Sequence, residues 1–299
     1  MHFDYNPAQF SLDDTLACGQ AFRWERLAPG VWRGVVAGRV LTVRQDGSRL
    51  EYDSSDGGDA LRALRDIFLL DLDLGAIQAR LLEDDPGLAG PISRAPGLRL
   101  MRQDPEECLL SFLCSTANNV PRIVSGIRRM SALLGKPLAV LDDQAYYSFP
   151  TLPDLAVADS AALQAATGLG YRAARLVDLA RQLLERGPGW LPGLRSAPYP
   201  AAHASLVELR GIGPKVADCA CLFSLDHTEA VPVDTHIWQM AQQLWGRDAT
   251  AAKGLTGAGY RRVGEEFRSR YGKLSGFAQN WLFYDHFREY WGGNSPLMR

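Results

Sequence analysis

The stretch Leu206–Trp238, LVELRGIGPKVADCACLFSLDHTEAVPVDTHIW, limits the architecture of this chain more than any other. Leu206, Val207 and Leu209 make a short amphipathic turn, after which Gly211 and Gly213 open backbone torsions closed to other residues. Pro214 suits the first position of a helix, and Val216, Ala217, Ala220, Phe223 and Leu225 follow at roughly helical spacing. The pattern reads as helix, hairpin, helix over residues 206–225. Glycines without side chains leave amides open at a helix N-terminus, where they can grip a phosphate without reading a base. An ordinary turn between two core helices fits the same residues.

Lys215 falls in the first turn of the second helix, where positive partial charge already favours anions over cations. Such a setting, with partial burial, lowers a lysine's pKa, and only the free amine is a nucleophile. Asp234 follows Val231, Pro232 and Val233 and precedes the helical stretch Thr235–Leu244. Its carboxylate can cap that helix. It can equally stabilise a developing cation or assist proton movement near an amine. A solvated lysine and a plain helix cap are the alternatives that these residues leave open.

Elsewhere the periodicity changes once. Residues 22–52 read as a β meander, FRWER, VWRGVV, RVLTVR and RLEYD, separated by AG and DG turn pairs. DSSDGGDA at 53–60 is a solvated loop, and helical spacing follows, as in Ile123, Ile127, Met130 and Leu134 before Gly135, or Leu176, Leu179, Ala180 and Leu183 before Gly187. The expected organisation is a small β-rich domain over residues 1–100 and an all-helical body over 101–299, with the changeover near 85–100. The fold class is α+β, mostly α.

Charge and cysteine usage narrow the chemistry. A formal net charge of −2 argues against indiscriminate nucleic-acid binding, which needs clustered Lys and Arg. The balance is uneven, with 11 basic and 15 acidic groups in residues 1–100 against 21 and 19 in the remainder. A DNA-binding face would have to be local and lean on backbone amides. The five cysteines, at 18, 108, 114, 219 and 221, show no CxxC and no four-thiolate spacing, so neither zinc nor an iron–sulfur cluster is expected. No apolar run approaches a membrane span and MHFDYNPAQF lacks a signal-peptide layout, so an intracellular protein is expected. That means cytoplasm or nucleoid in a prokaryote, or the nucleus in a eukaryote.

Beside the hairpin segment stand CGQAFRW at 18–24, RQDPEECLLSFLCSTANN at 102–119, GLGYRAAR at 168–175 and AQNWLF at 278–283. Together they resemble the helix-hairpin-helix (HhH-GPD) glycosylase superfamily, and more narrowly the 8-oxoguanine DNA glycosylase/AP lyase family. The resemblance implies a TATA-binding-protein-like antiparallel sheet followed by two helical subdomains that hold the active cleft between them. It implies Lys215 as the nucleophile and Asp234 as its carboxylate partner. The carbonyl of Gly19 and the amide of Gln279 would read the flipped base, between Phe283 and Cys219. Tyr171 would wedge into the duplex while Arg172 and Arg122 hydrogen-bond to the abandoned cytosine, and Asn118 would contact the DNA. Gly211, Gly213 and His236 would hold phosphates, and carbonyls around Leu209 and Ile212 could hold a monovalent cation. The expected partner is duplex DNA bearing 8-oxoguanine, bound by a monomer without cofactor.

Chemistry alone says what such a pocket must measure. 8-Oxoguanine carries a hydrogen on N7 where guanine has an acceptor. A carbonyl facing N7 would reward the lesion with roughly 1 kcal/mol and leave guanine with an unpaired acceptor costing about 1–3 kcal/mol. Against about a million or more competing sites, one contact is insufficient, so further checks are needed. The chain also departs from the family. Ala117 stands where an asparagine is usual, His286 where an aspartate supports the phosphate-binding histidine, with Asp285 one residue away, and Arg210 where a proline precedes the hairpin. Ala117 bears on strict cytosine preference and His286 on the support of His236, while Arg210 is expected to be tolerated. The rival readings are a monofunctional alkylbase glycosylase of the same fold, which needs no amine at 215, and a non-catalytic DNA-docking module.

Overall fold

The computed structural model describes residues 1–246 and 255–290. Five strands, β1 (His2–Asp4), β2 (Trp24–Ala28), β3 (Val31–Val36), β4 (Arg39–Asp46) and β5 (Arg49–Ser54), form one antiparallel sheet in the order β1-β5-β4-β3-β2. Ala37 and Gly38 close the β3–β4 hairpin with φ of 49° and 77°. Two positive φ values give the turn twist that matches paired strands. Gly34 has a separate reason to be glycine, since a Cβ there would lie 2.3 Å from the Trp24 indole. Trp24, Trp32, Leu41, Val43 and Leu50 share a core with helices α1 (Leu12–Ala17) and α2 (Leu61–Ile67). Helices α3 (Leu74–Asp84) and α4 (Ala89–Arg94) continue the chain towards the body.

Two buried polar side chains stitch this unit together around the loop that leads into the body. Arg99 donates to the carbonyls of Gln9, Leu69 and Leu72. Gln20 donates to Thr15 O and Arg99 O and accepts from the Met101 amide at 2.9 Å. Buried amides and guanidinium groups are stable only when satisfied in this way. The consequence is a fixed loop around Gly19, immediately before Gln20.

The body consists of α5 (Pro105–Cys114), α6 (Val120–Leu134), α7 (Leu152–Val157), α8 (Ser160–Thr167), α9 (Arg172–Arg186), α10 (Trp190–Gly193), α11 (Tyr199–Val207), α12 (Pro214–Ser224), α13 (Thr235–Trp245), α14 (Gly257–Tyr271) and α15 (Ser275–Tyr290). Every residue from Cys108 to Cys114 is buried, and α5 packs against α12. Helix α15 returns to the first unit, where Trp281 Nε1 donates to Ala95 O at 2.9 Å and Tyr284 OH to Asp14 Oδ1 at 2.9 Å. The fold is therefore α+β and mostly α, and among the described residues no helix is long and apolar enough to cross a membrane.

Two expectations need correction. The body is not all helical, because β6 (Pro137–Leu141) and β7 (Gln144–Tyr147) form a hairpin after α6. Its turn residues, Asp142 and Asp143, both have positive φ. An Asp-Asp pair lacks the glycine that signals such a turn in sequence, and Arg33 holds Asp142 from the main sheet at 2.8 Å. The second concerns the hairpin glycines. Gly211 has φ +91°, but Gly213 has φ −95° and ψ 171°, extended backbone that any residue adopts.

Candidate functional site

Gly213 is the N-cap of α12 and Pro214 its first residue, so Lys215 leaves the helix within the first turn. Its side chain is half-buried, crosses the Phe112 ring with Nζ 5.2 Å from the centroid, and donates to Ser115 Oγ at 3.2 Å. Ser115 lies in the SFLCSTANN stretch, from which only Asn118 was expected at the site. Cys219, one helical turn beyond Lys215, is buried. Burial pushes its thiol up to about 12, against the opposing pull of the nearby Lys215 cation. Such a thiol stays protonated and acts as a small apolar wall.

Asp234 ends the buried run Val231–Val233 and caps α13, its Oδ1 accepting from the Ile237 amide at 2.9 Å. The carboxylate remains partly exposed. Capping and catalysis are thus compatible, because one oxygen meets the helix while the group still faces the cleft. From α15 come Gln279, buried with no protein partner for its amide oxygen among the described residues, and Phe283, four residues on. A buried acceptor without a partner is costly unless a ligand supplies the donor. Gly19 enters from the N-terminal unit with φ +87°.

These segments meet at one cavity of about 380 Å³, lined by Cys18, Gly19, Phe112, Lys215, Cys219, Phe223, Asp234, Gln279, Asn280 and Phe283 among others. All six residues expected to react or to hold the base are therefore in one place. A roomier cleft of about 960 Å³ between the sheet and α5 contains none of them. Phe112 and Phe223, missed in the sequence, stack at 5.5 Å with planes 18° apart and make the apolar floor.

The residues expected against DNA lie around this cavity less uniformly. Tyr171 is exposed at the start of α9, and the guanidinium groups of Arg172 and Arg175 lie 4.5 and 4.7 Å from its ring centroid. Arg172 departs from its expected role as a free fork of donors. It is buried and spends its guanidinium on the carbonyls of Thr116, Ala117 and Leu169. Asn118 likewise donates to Cys114 O at 3.1 Å and accepts from the Asn119 amide. Ala117, between them, has φ +47°. Arg122 is exposed on the first turn of α6. The Cδ of Arg175, in the GLGYRAAR stretch, would lie 3.7 Å from a Cβ on Gly211, which joins wedge and hairpin.

His236 is half-buried, its ring 5.8 Å from that of His286 and 6.4 Å from Phe283. Asp285 turns away to a bidentate pair with Arg94, both contacts at 2.5 Å. Histidine has thus taken the position beside His236. At the hairpin, Leu209 O accepts the Ile212 amide at 3.0 Å. A monovalent cation there would have to share that carbonyl's second lone pair.

Residues 2–109 match the 8-oxoguanine DNA glycosylase N-terminal domain, and residues 110–260 match HhH-GPD superfamily base excision DNA repair protein. The chain is 35% identical to the N-glycosylase/DNA lyase OGG1 of Arabidopsis thaliana over 92% of its own length and 77% of the relative's. Against the N-glycosylase/DNA lyase of Saccharomyces cerevisiae it is 31% identical, over 80% and 69%. The crystal structure of Clostridium acetobutylicum 8-oxoguanine glycosylase/lyase with dsDNA containing cytosine opposite 8-oxoG superposes with a TM-score of 0.82. Identity is 32%, covering 94% of this chain and 92% of that one. The chain belongs to the 8-oxoguanine DNA glycosylase family of HhH-GPD base excision repair proteins.

Proposed function

We propose that this protein, as a monomer, flips 8-oxoguanine out of duplex DNA, cleaves its N-glycosidic bond through a lysine Schiff base and nicks the strand. The observation that carries the reading is the single cavity that gathers Lys215, Asp234, Gly19, Cys219, Gln279 and Phe283 from widely separated parts of the chain. The relatives are named for the same two activities.

Extruding the nucleotide costs about a few kcal/mol, which exposed Tyr171 offsets by filling the vacated stack. Gln279, with its open amide oxygen, meets the base edge, and the Gly19 carbonyl accepts the N7 hydrogen that only the lesion carries. The free amine of Lys215 attacks C1′. The bond from C1′ to the base breaks, its electron pair leaves with the base, and the base takes up a proton. Asp234 stabilises the cationic sugar as that bond opens. The attached amine gives up a proton, O4′ takes one up as the C1′–O4′ bond breaks to open the sugar ring, and nitrogen and C1′ form the imine. Loss of a C2′ proton then expels the 3′ phosphate, which nicks the strand.

Borohydride reduces the imine to a stable protein–DNA adduct, which gels resolve. Lys215→Gln is expected to abolish trapping, and an adduct that persists would remove lysine from the reaction. Asp234→Asn keeps a good helix cap, so it isolates the charge. Base release should slow about 100-fold or more with lesion binding nearly intact, whereas a matching loss of binding would reduce Asp234 to a capping residue.

A further inference from the structure

One turn beyond Lys215, α12 buries a second carboxylate that the chemistry above leaves unused. Asp218 is 1% exposed and lies outside the cavity lining. Its Oδ1 accepts from Tyr199 OH at 2.7 Å and sits 3.7 Å from His203 Nε2, while Oδ2 accepts from Tyr260 OH. Tyr199 and His203 belong to α11, the first arm of the hairpin, and Tyr260 belongs to α14. Two of these partners reach onward. His203 Nε2 is 3.4 Å from Pro214 O, next to Lys215, and Tyr260 OH is 3.4 Å from Val231 O, at the head of the run that ends in Asp234. Arg268 backs the cluster with its guanidinium 5.5 Å from the Tyr199 ring centroid.

A buried anion tolerates little displacement, because each donor that withdraws leaves charge unsatisfied in a low-dielectric interior. Burial pushes the Asp218 carboxyl pKa upward, a sign that the anion is held at a cost which the two phenols and His203 partly offset. An apolar residue would fill the space more cheaply. What the carboxylate provides is register between α11, α12 and α14, which all converge on it.

We infer that Asp218 is a positioning residue, which through Tyr260 and His203 fixes the helix carrying Lys215 against the segment carrying Asp234. The inference rests on the proposed lysine chemistry. Attack on C1′ needs the amine and the carboxylate placed together, and a misplacement of about 1 Å costs on the order of 100-fold in rate.

Tyr260→Phe removes one hydroxyl and keeps the ring, so it is the gentler test, and Asp218→Asn is the stronger one. Single-turnover base release, and borohydride trapping on a duplex with a ready-made abasic site, are both expected to fall about tenfold in Tyr260→Phe and further in Asp218→Asn. The KM for lesion duplex should stay within about twofold. The double variant should be no slower than Asp218→Asn alone, since both changes cut one linkage. A merely structural carboxylate would lower melting temperature and leave the rate per folded molecule at the wild-type value, and that result in Tyr260→Phe overturns the inference. If Asp218→Asn does not fold, Tyr260→Phe decides alone. Failure of the wild-type protein to trap would instead refute the lysine reaction itself.

Discussion

The arginines of the sheet unit and those around the cavity carry the same charge to opposite effect. Nine of the eleven arginines in residues 1–100 face a carboxylate within 4.0 Å, among them Arg26 with Asp13, Arg33 with Asp142, Arg80 with Asp84 and Arg94 with Asp285. Arg122 at the start of α6 and Arg175 beside the Tyr171 ring are exposed and, among the described residues, form no such pair. Where both partners are exposed, as in Arg65–Asp71 and Arg80–Glu83, such pairs add little stability and mainly silence the local field. A net charge of −2 therefore says little about DNA binding. What counts is where cations are left uncompensated, because only those release counterions on meeting phosphate.

The largest effect should come from removing the uncompensated pair. Arg122→Gln with Arg175→Gln is expected to lower the slope of log affinity against log salt by about 0.9 for each phosphate that is no longer neutralised. Lesion-duplex affinity near physiological salt should drop roughly tenfold or more, as titration of a fluorescent duplex across salt concentrations would measure. An unchanged slope would mean that the rim is held by hairpin amides alone. A smaller effect of opposite sign should come from unmasking. Arg210, next to Gly211, is 74% exposed and paired with Asp178 at 2.8 Å. Asp178→Asn frees that guanidinium, so binding should tighten a few-fold and the salt slope should steepen by up to about 0.9. Weaker binding would show that Arg210 serves the hairpin by being held, not by its charge.

How much of this could be read in the chain differs between the two regions for the same physical reason. The meander of residues 22–52 announces itself because alternation and turn pairs are local, and the helix cap at Asp234 and the helix-starting Pro214 are equally local signals. The β6–β7 hairpin escapes because its Asp142–Asp143 turn has no glycine and is secured from a distant strand by Arg33. At the cavity, the family motifs point to Lys215, Asp234 and Gln279 but not to Ser115, Phe112 or Phe223, whose roles arise only when α5 packs on α12. The same holds for Arg172. As a tripeptide neighbour of Tyr171 it looks like a free donor, and only the fold reveals the carbonyls of Thr116 and Ala117 that absorb it. Side-chain identity states what a residue can donate, while long-range packing decides whether the donor is still available.

The smallest expected effect is the one most able to break the contrast. Arg80, 63% exposed on α3, pairs with Asp84 at 3.0 Å and with Glu83 at 3.7 Å. An arginine placed N-terminal to its acid is the less favourable order on a helix, and exposed pairs of this spacing are weak and salt-screened. Arg80→Gln should therefore move the melting temperature by no more than about 1 °C. The salt slope for lesion duplex should match that of the wild type, since this guanidinium already has its counter-charge within the protein. Calorimetry and the same duplex titration read both quantities. A slope that falls by about 0.9, the loss expected for one phosphate no longer neutralised, would mean that internal pairing does not silence an arginine towards DNA. The sheet unit would then have to be counted as part of the binding face.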